Sequence, residues 1–304
     1  MTTVAAIDCG TNSIRLLISS EGPQGPVDVI RRMEIVRLGE GLDESGRISQ
    51  AALDRTGAAL EKYADLIEEH RPSAVRMVAT SATRDAENAD AFGDLVMARL
   101  GIRPDVVTGD EEAHLSFTGA VADLPATDRA RLVVDIGGGS TEFVRGIDRA
   151  EAAHSVNIGC VRMTERHFVD DPPTPAQVMA AEGDIAAHVD TALAIVDPRR
   201  MTTELVGLAG SVTTVAALAL GLDAYRPDRI HHARVSLEQV GAVTDNLLKQ
   251  TSAERLASPV MHPGRADVIA AGALVLRVIM ERTGMDRVVA SEHDILDGIA
   301  ASLR

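Results

Sequence analysis

The sequence has no tryptophan and only two tyrosines and four phenylalanines, so aromatic residues make up 2% of its 304 positions. A core for such a chain must be built from Ala, Val, Leu and Ile, and the stacking platforms on which single-stranded nucleic acids lie are scarce. Positive charge is also in short supply: 30 Lys and Arg stand against 45 Asp and Glu, a formal net charge of −15. That balance opposes non-specific attachment to nucleic acid or to an anionic membrane. Any polyanionic substrate must then be met by local arginines, backbone amides and metal ions. Cys9 and Cys160 are too few for a disulfide framework and neither lies in a metal-type cluster, so both read as small buried residues. No apolar run reaches the length of a membrane span, and the N-terminus lacks a basic region followed by an apolar core, so a cytoplasmic, reducing location is expected. Low-complexity segments are absent as well. Against these shortages, 45% hydrophobic and 25% charged residues are ordinary globular values, and the length allows two domains.

The most informative stretch is Leu132 to Glu142. An apolar strand, Leu132 to Ile136, runs into Gly137-Gly138-Gly139-Ser140-Thr141, and a second strand resumes at Glu142. Consecutive glycines at a hairpin turn remove the Cβ atoms and let backbone N–H groups point into one concavity, a receptor for phosphate oxygens. Asp135 and Glu142 flank it with carboxylates that could hold Mg²⁺. A plain Gly-Gly hairpin is the bland alternative, but three glycines framed by Asp, Ser, Thr and Glu exceed what a hairpin needs. The N-terminus repeats the design: the strand Val4 to Ile7 delivers Asp8 into Cys9-Gly10-Thr11-Asn12-Ser13, and the strand Ile14 to Ser19 leaves. Two copies, one near the start of each half, suggest two similar domains facing each other across a phosphate.

Along the chain, Val27 to Leu38 reads as a third strand interrupted by Arg31-Arg32, and Ser49 caps a helix that ends at Arg71-Pro72. The strand Val75 to Ala79 leads into a polar turn, Thr80 to Asp85, before a helix from near Asn88 to Gly101. Arg84 lies just beyond the C-terminal end of that strand, where α/β folds place ligands, and this favours a phosphate contact over a plain surface charge. Thr108 with Glu111 reads as a capping box, which gives Glu111 a structural task and leaves its neighbour Glu112 for catalysis. Asp123 to Arg131 is a polar connection between domains. The second half repeats three strands, helix, strand and helix, with a capping box at Thr174-Pro175-Ala176-Gln177 and a further strand from Leu205 to Leu208. The Gly210-Ser211 turn at the next helix start either binds an anion or only caps. In His231-His232, adjacent residues of an extended segment point opposite ways, which suggests one binding and one structural histidine. Domains are expected at 1–123 and 124–304, with the last helix, about 293–304, placed to pack back on the first.

These motifs together resemble the exopolyphosphatase and guanosine-pentaphosphate phosphohydrolase family, within the actin, sugar-kinase and chaperone-ATPase superfamily. The resemblance spans nearly the whole chain. It rests on Asp8 to Leu16, Thr80 to Arg84, Gly109 to Ala113, Asp135 to Glu142, and Gly264-Arg265-Ala266-Asp267 followed by Ala271-Gly272. It implies an α/β fold of two ribonuclease-H-like domains with an interdomain cleft, and Mg²⁺-dependent hydrolysis of a terminal phosphoanhydride. By motif position Glu112 is the general base, and Asp135 and Glu142 hold metal or assist the water. Phosphates are gripped by Asn12, Ser13, Arg84 and Gly137 to Thr141, to which Asp8, Gly10, Thr11, Arg15, Gly210, Ser211 and Arg265 are added. Ser291-Glu292-His293-Asp294 departs from the family pattern, standing where a more glycine-containing, basic element is expected, and Gly210 to Thr214 is a looser match. The additional C-terminal helical domains of long family members are missing, which suggests a preference for shorter polymers.

The expected activity is therefore exopolyphosphatase, with inorganic polyphosphate as substrate and guanosine penta- or tetraphosphate as alternative substrate or inhibitor. A kinase of the same superfamily and a non-catalytic sensor of phosphorylated alarmones are the rivals. No nucleic-acid or membrane partner is expected. A homodimer is, with the apolar helix Val268 to Met280 as core or interface.

Overall fold

The computed structural model describes residues 2–23 and 25–304. It divides into two compact units, Met1–Gly119 with Ile295–Arg304, and Ala120–Asp294. The division falls ahead of the polar stretch at Asp123 to Arg131.

In the first unit the order is β1 (Thr3–Cys9), β2 (Ser13–Gly22), β3 (Gly25–Ile35), α1 (Leu42–Ser45), α2 (Gln50–His70), β4 (Ala74–Ala79), α3 (Ser81–Asp85), α4 (Ala89–Leu100), β5 (Asp105–Val106) and α5 (Gly109–Val121), inside which the division lies. The sheet order is β3-β2-β1-β4-β5, with β1–β2 and β2–β3 antiparallel and β1–β4 and β4–β5 parallel. Alternation along β1 sends Ala5, Ile7 and Cys9 into a core with Leu53, Leu60 and Tyr63 of α2 and Phe92 and Val96 of α4. Val4 and Ala6 point the other way, against Ile295, Leu296, Ile299 and Ala300 of the last helix, α13 (Ile295–Ala301). Full burial of each such large side chain contributes about 1.5–3 kcal/mol. Ser49 caps α2 by accepting the Ala52 N–H, as its sequence position suggests. The segment Thr80 to Asp85, expected as a polar turn, instead winds into the short helix α3 because Thr83 and Arg84 donate their amides back to the Thr80 carbonyl.

The second unit continues with β6 (Arg131–Ile136), β7 (Thr141–Gly146), β8 (Ala150–Val156), α6 (Cys160–His167), α7 (Pro175–Val196), β9 (Glu204–Leu208), α8 (Ala209–Ala219), α9 (Pro227–Ile230), β10 (Arg234–Ser236), α10 (Leu237–Lys249), α11 (Ser252–Arg255), α12 (Ile269–Thr283) and β11 (Arg287–Ala290). Its sheet, β10-β11-β9-β6-β7-β8, follows the same plan as the first with an added antiparallel edge strand, β10. The Thr174 capping box forms as read from the sequence. Leu132, Val134 and Ile136 enter a core shared with α7, α8, α10 and α12. This alternation turns Val133 and Asp135 to the opposite face. Each unit thus has the ribonuclease-H-like arrangement, an antiparallel three-strand opening followed by parallel strands.

Candidate active site

In the first unit, β1 carries Asp8 to its C-terminal end, where the residue is 4% exposed. The register places Arg15 of β2 directly across from it. The Arg15 guanidinium donates to Asp8 Oδ2 from Nε at 3.0 Å and from Nη2 at 2.6 Å, so both side chains are engaged with each other. The turn between the strands closes through the Gly10 N–H to Ser13 O at 3.0 Å. The Asn12 carbonyl accepts the amides of Val36 and Arg37, and the Thr11 hydroxyl lies 2.9 Å from that of Ser81 on α3. The turn carrying Gly10, Thr11, Asn12 and Ser13 is therefore held from two sides before any ligand arrives.

Arg84 and Glu112, 28 positions apart, meet. Arg84 Nη1 donates to Glu112 Oε2 and to the Val107 carbonyl, each at 3.0 Å. Glu112 is 7% exposed on the first turn of α5. Its neighbour Glu111 behaves differently. Its N–H binds the Thr108 hydroxyl at 3.2 Å, but its carboxylate goes to Arg76 at 3.1 Å instead of returning to Thr108. The expected capping box is thus only half made, because a guanidinium on β4 outcompetes a backbone amide for a carboxylate.

In the second unit, the register of β6 and β7 sets Asp135 opposite Glu142, with Ile136 opposite Thr141. Directly opposed residues of an antiparallel pair share a face, so two carboxylates, both buried, stand side by side at the base of the glycine loop. Glu142 is steadied by the Ser155 hydroxyl at 2.8 Å. The glycine loop docks on α6: the Gly137 carbonyl accepts the Cys160 N–H at 2.9 Å, and the Gly138 carbonyl accepts those of Val161 and Arg162 at 2.9 and 3.1 Å. With the carbonyls spent on a helix N-terminus, the amides of Gly138 and Gly139 are the groups left to meet an anion. Ser140 is buried, and the Thr141 hydroxyl is committed to the Ile158 carbonyl at 2.8 Å.

Gly159 is a residue the sequence reading missed. A Cβ there would lie 2.2 Å from the Gly138 carbonyl carbon and oxygen, so only glycine lets α6 approach the loop. Gly210 and Ser211 prove to be the first turn of α8 itself. Arg265 lies flat against Gly210, whose added Cβ would fall 2.2 Å from Nη2, and donates to Thr214 Oγ1 at 2.9 Å. Ser211 packs on Gly272, where the Cβ of Cys160 also lies. The glycine loop, the α6 start, the α8 start and Arg265 therefore form one continuous arrangement. Both cysteines are free and buried, and burial pushes both thiols up.

His231 and His232 do not point apart. His232 takes a left-handed φ of 61°, which brings its ring onto that of His231 with centroids 3.8 Å apart.

Comparison with known proteins identifies the family. The profile of the Ppx/GppA phosphatase family matches residues 17–303. The chain is 48% identical to exopolyphosphatase 2 of Mycobacterium tuberculosis, covering 100% of this chain and 99% of that one. A solved exopolyphosphatase-like protein superposes with a TM-score of 0.94 at 42% identity, covering 99% of this chain and 97% of its own. An exopolyphosphatase from Cytophaga hutchinsonii superposes with a TM-score of 0.89 at 26% identity, again over 99% and 97%. The chain belongs to the Ppx/GppA phosphatase family.

Proposed function

We propose that the protein is an exopolyphosphatase that hydrolyses the terminal phosphoanhydride of inorganic polyphosphate and releases orthophosphate. The observation that carries this reading is the Asp135–Glu142 pair set across a hairpin whose glycine loop presents its amides. The relative that is 48% identical along the whole chain bears the name exopolyphosphatase, which supports the same substrate.

Oxygen-only donors suit a hard cation, so Mg²⁺ fits the adjacent buried carboxylates of Asp135 and Glu142. When bound there it would neutralise charge on phosphoryl oxygens. The amides of Gly138 and Gly139 and the Arg265 guanidinium hold phosphate oxygens in the second unit. The Gly10–Ser13 turn and Arg84 do so in the first.

Glu112 takes a proton from water as the water oxygen bonds to the terminal phosphorus. The bridging P–O bond breaks, and the chain, shorter by one phosphate, leaves as an anion. The Arg84 contact aims the Glu112 carboxylate and couples its position to that of a bound phosphate. Because the transition state spreads charge over phosphoryl oxygens, positioning and neutralisation carry most of the work.

Phosphate release from polyphosphate, guanosine pentaphosphate and ATP, measured side by side with Mg²⁺, tests the proposal. Polyphosphate is expected to be turned over fastest. Preferential hydrolysis of guanosine pentaphosphate would move the assignment to that substrate, and hydrolysis of ATP alone would reject both.

A further inference from the structure

Away from the residues assigned to phosphate chemistry, the second unit gathers three imidazoles around one carboxylate. Asp123 Oδ2 lies 2.7 Å from His231 Nε2 and 3.1 Å from His293 Nδ1, and Oδ1 lies 3.4 Å from His232 Nε2. These residues come from three separate stretches of chain, and hydrogen bonds to the backbone fix the two that carry the histidines. The His232 N–H binds the Ala290 carbonyl at 2.7 Å at the end of β11. His293 sits in a tight turn in which its amide donates to Ser291 Oγ at 3.1 Å and its carbonyl accepts that hydroxyl at 2.9 Å.

A second aspartate in the same unit shows what is unusual. Asp184 also has two histidine neighbours, His167 and His188, but Arg166 lies 3.0 Å away and supplies a permanent positive charge. Among the described residues Asp123 has no such arginine or lysine, and its ion-pair partners are all imidazoles. Imidazole and carboxylate together are the donor set of first-row transition metals rather than of Mg²⁺.

We propose that Asp123, His231 and His293 form a binding site for a Zn²⁺-class divalent metal ion, sharing no residue with the Asp135–Glu142 pair. One ligand atom from each of the three already lies within 4.8 Å of the others. Zn²⁺ with N and O donors at about 2.0–2.1 Å sets neighbouring donors roughly 3.3 Å apart, close to the 2.7 and 3.1 Å that separate Asp123 from His231 and His293. The three ligands are partly exposed, which leaves further positions to water or to His232, whose Nε2 makes no hydrogen bond. Burial pushes the Asp123 carboxyl up, but hydrogen bonds and charge from His231 and His293 outweigh it and hold the group well below the usual carboxylate range, in its ligating form. Occupation has a cost. His231 Nδ1 accepts the Glu292 N–H at 3.1 Å, so its Nε2 carries the ring proton in the metal-free cluster. Coordination through Nε2 moves that proton to Nδ1 and gives up the Glu292 contact.

Co²⁺, a spectroscopic substitute for Zn²⁺, tests the site in the purified full chain by visible absorption. One equivalent is expected to bind with the strong d–d bands of a low-coordinate, imidazole-bound ion, to be displaced by Zn²⁺, and to survive a large excess of Mg²⁺. Asp123→Asn and His293→Ala should each weaken binding at least about tenfold, the scale of losses when the surroundings of a metal ion are altered. His188→Ala, at the Asp184 cluster, should leave it unchanged. Circular dichroism of each variant separates loss of ligands from loss of fold. Absence of Co²⁺ bands in the unaltered protein, displacement by Mg²⁺, or equal affinity in folded Asp123→Asn and His293→Ala variants would overturn the proposal.

Discussion

The two units begin with the same hairpin, yet the residue facing the strand-end aspartate differs. In the first unit Asp8 faces Arg15, and the two form an ion pair with contacts of 2.6 and 3.0 Å. In the second, Asp135 faces Glu142, and like charges stand together. A single exchange at one register position replaces an ion pair by a pair of carboxylates on the same scaffold. The first hairpin is tied by its own ion pair, whereas the second sets two carboxylates at the positions proposed to hold Mg²⁺. Glycine supports this division. The second loop needs Gly159 to admit α6, while the first is closed by side chains and carbonyls of its own unit, including the Thr11–Ser81 contact.

Substitutions can break this contrast. The largest effect is expected from Glu112→Gln, which keeps an acceptor for Arg84 but removes the proposed base: turnover should fall by roughly 10²–10⁴ with polyphosphate binding retained. Steady-state kinetics together with equilibrium binding would check this. Near-normal turnover would remove Glu112 from its role. Next come Asp135→Asn and Glu142→Gln, each expected to lower kcat by about 10²–10³, as loss of a group serving transition-state charge does. Raising Mg²⁺ should restore part of the loss. Asp8→Asn should differ in kind. It leaves the Arg15 guanidinium without its carboxylate and should cost about 1–3 kcal/mol of stability in chemical denaturation, with no change in the Mg²⁺ dependence of turnover. If Asp8→Asn shifted the Mg²⁺ requirement as strongly as Asp135→Asn, the distinction between the hairpins would fail. Gly159→Ala should cost about 1–3 kcal/mol through overpacking against Gly138, read as a lowered melting temperature.

The smallest effect concerns pH. Burial pushes the Asp197 carboxyl up, but hydrogen bonds from the Thr202 hydroxyl and the Met201 and Thr202 amides bring it below its usual value on balance. A depressed folded-state pKa contributes stability that is present above the unfolded value, near 3.9 for aspartate, and is lost as pH falls through the folded one. Denaturation below about pH 4 should therefore be less pH-dependent in Asp197→Asn than in the unaltered protein.

Much of this was legible in the sequence because it is local. The alternation in β1 and β6, the Ser49 and Thr174 caps, and the Asp135–Glu142 pairing all depend on residues within a few positions of one another or across one tight turn. What the sequence concealed is set by distant partners. Arg76 captured Glu111 across 35 positions, Arg84 reached Glu112 across 28, and the start of α6 consumed the glycine-loop carbonyls from about 20 residues downstream. The histidine pair misled for a different reason. One left-handed residue, His232, reverses the alternation that an extended segment would impose.

The most direct test follows the products of polyphosphate of one defined length, incubated with Mg²⁺ and separated by gel electrophoresis over time. Attack at chain ends should yield orthophosphate together with a ladder of chains each one phosphate shorter. Mid-chain fragments, or no orthophosphate under conditions where the protein is folded and binds the polymer, would contradict an end-directed phosphoanhydride hydrolase.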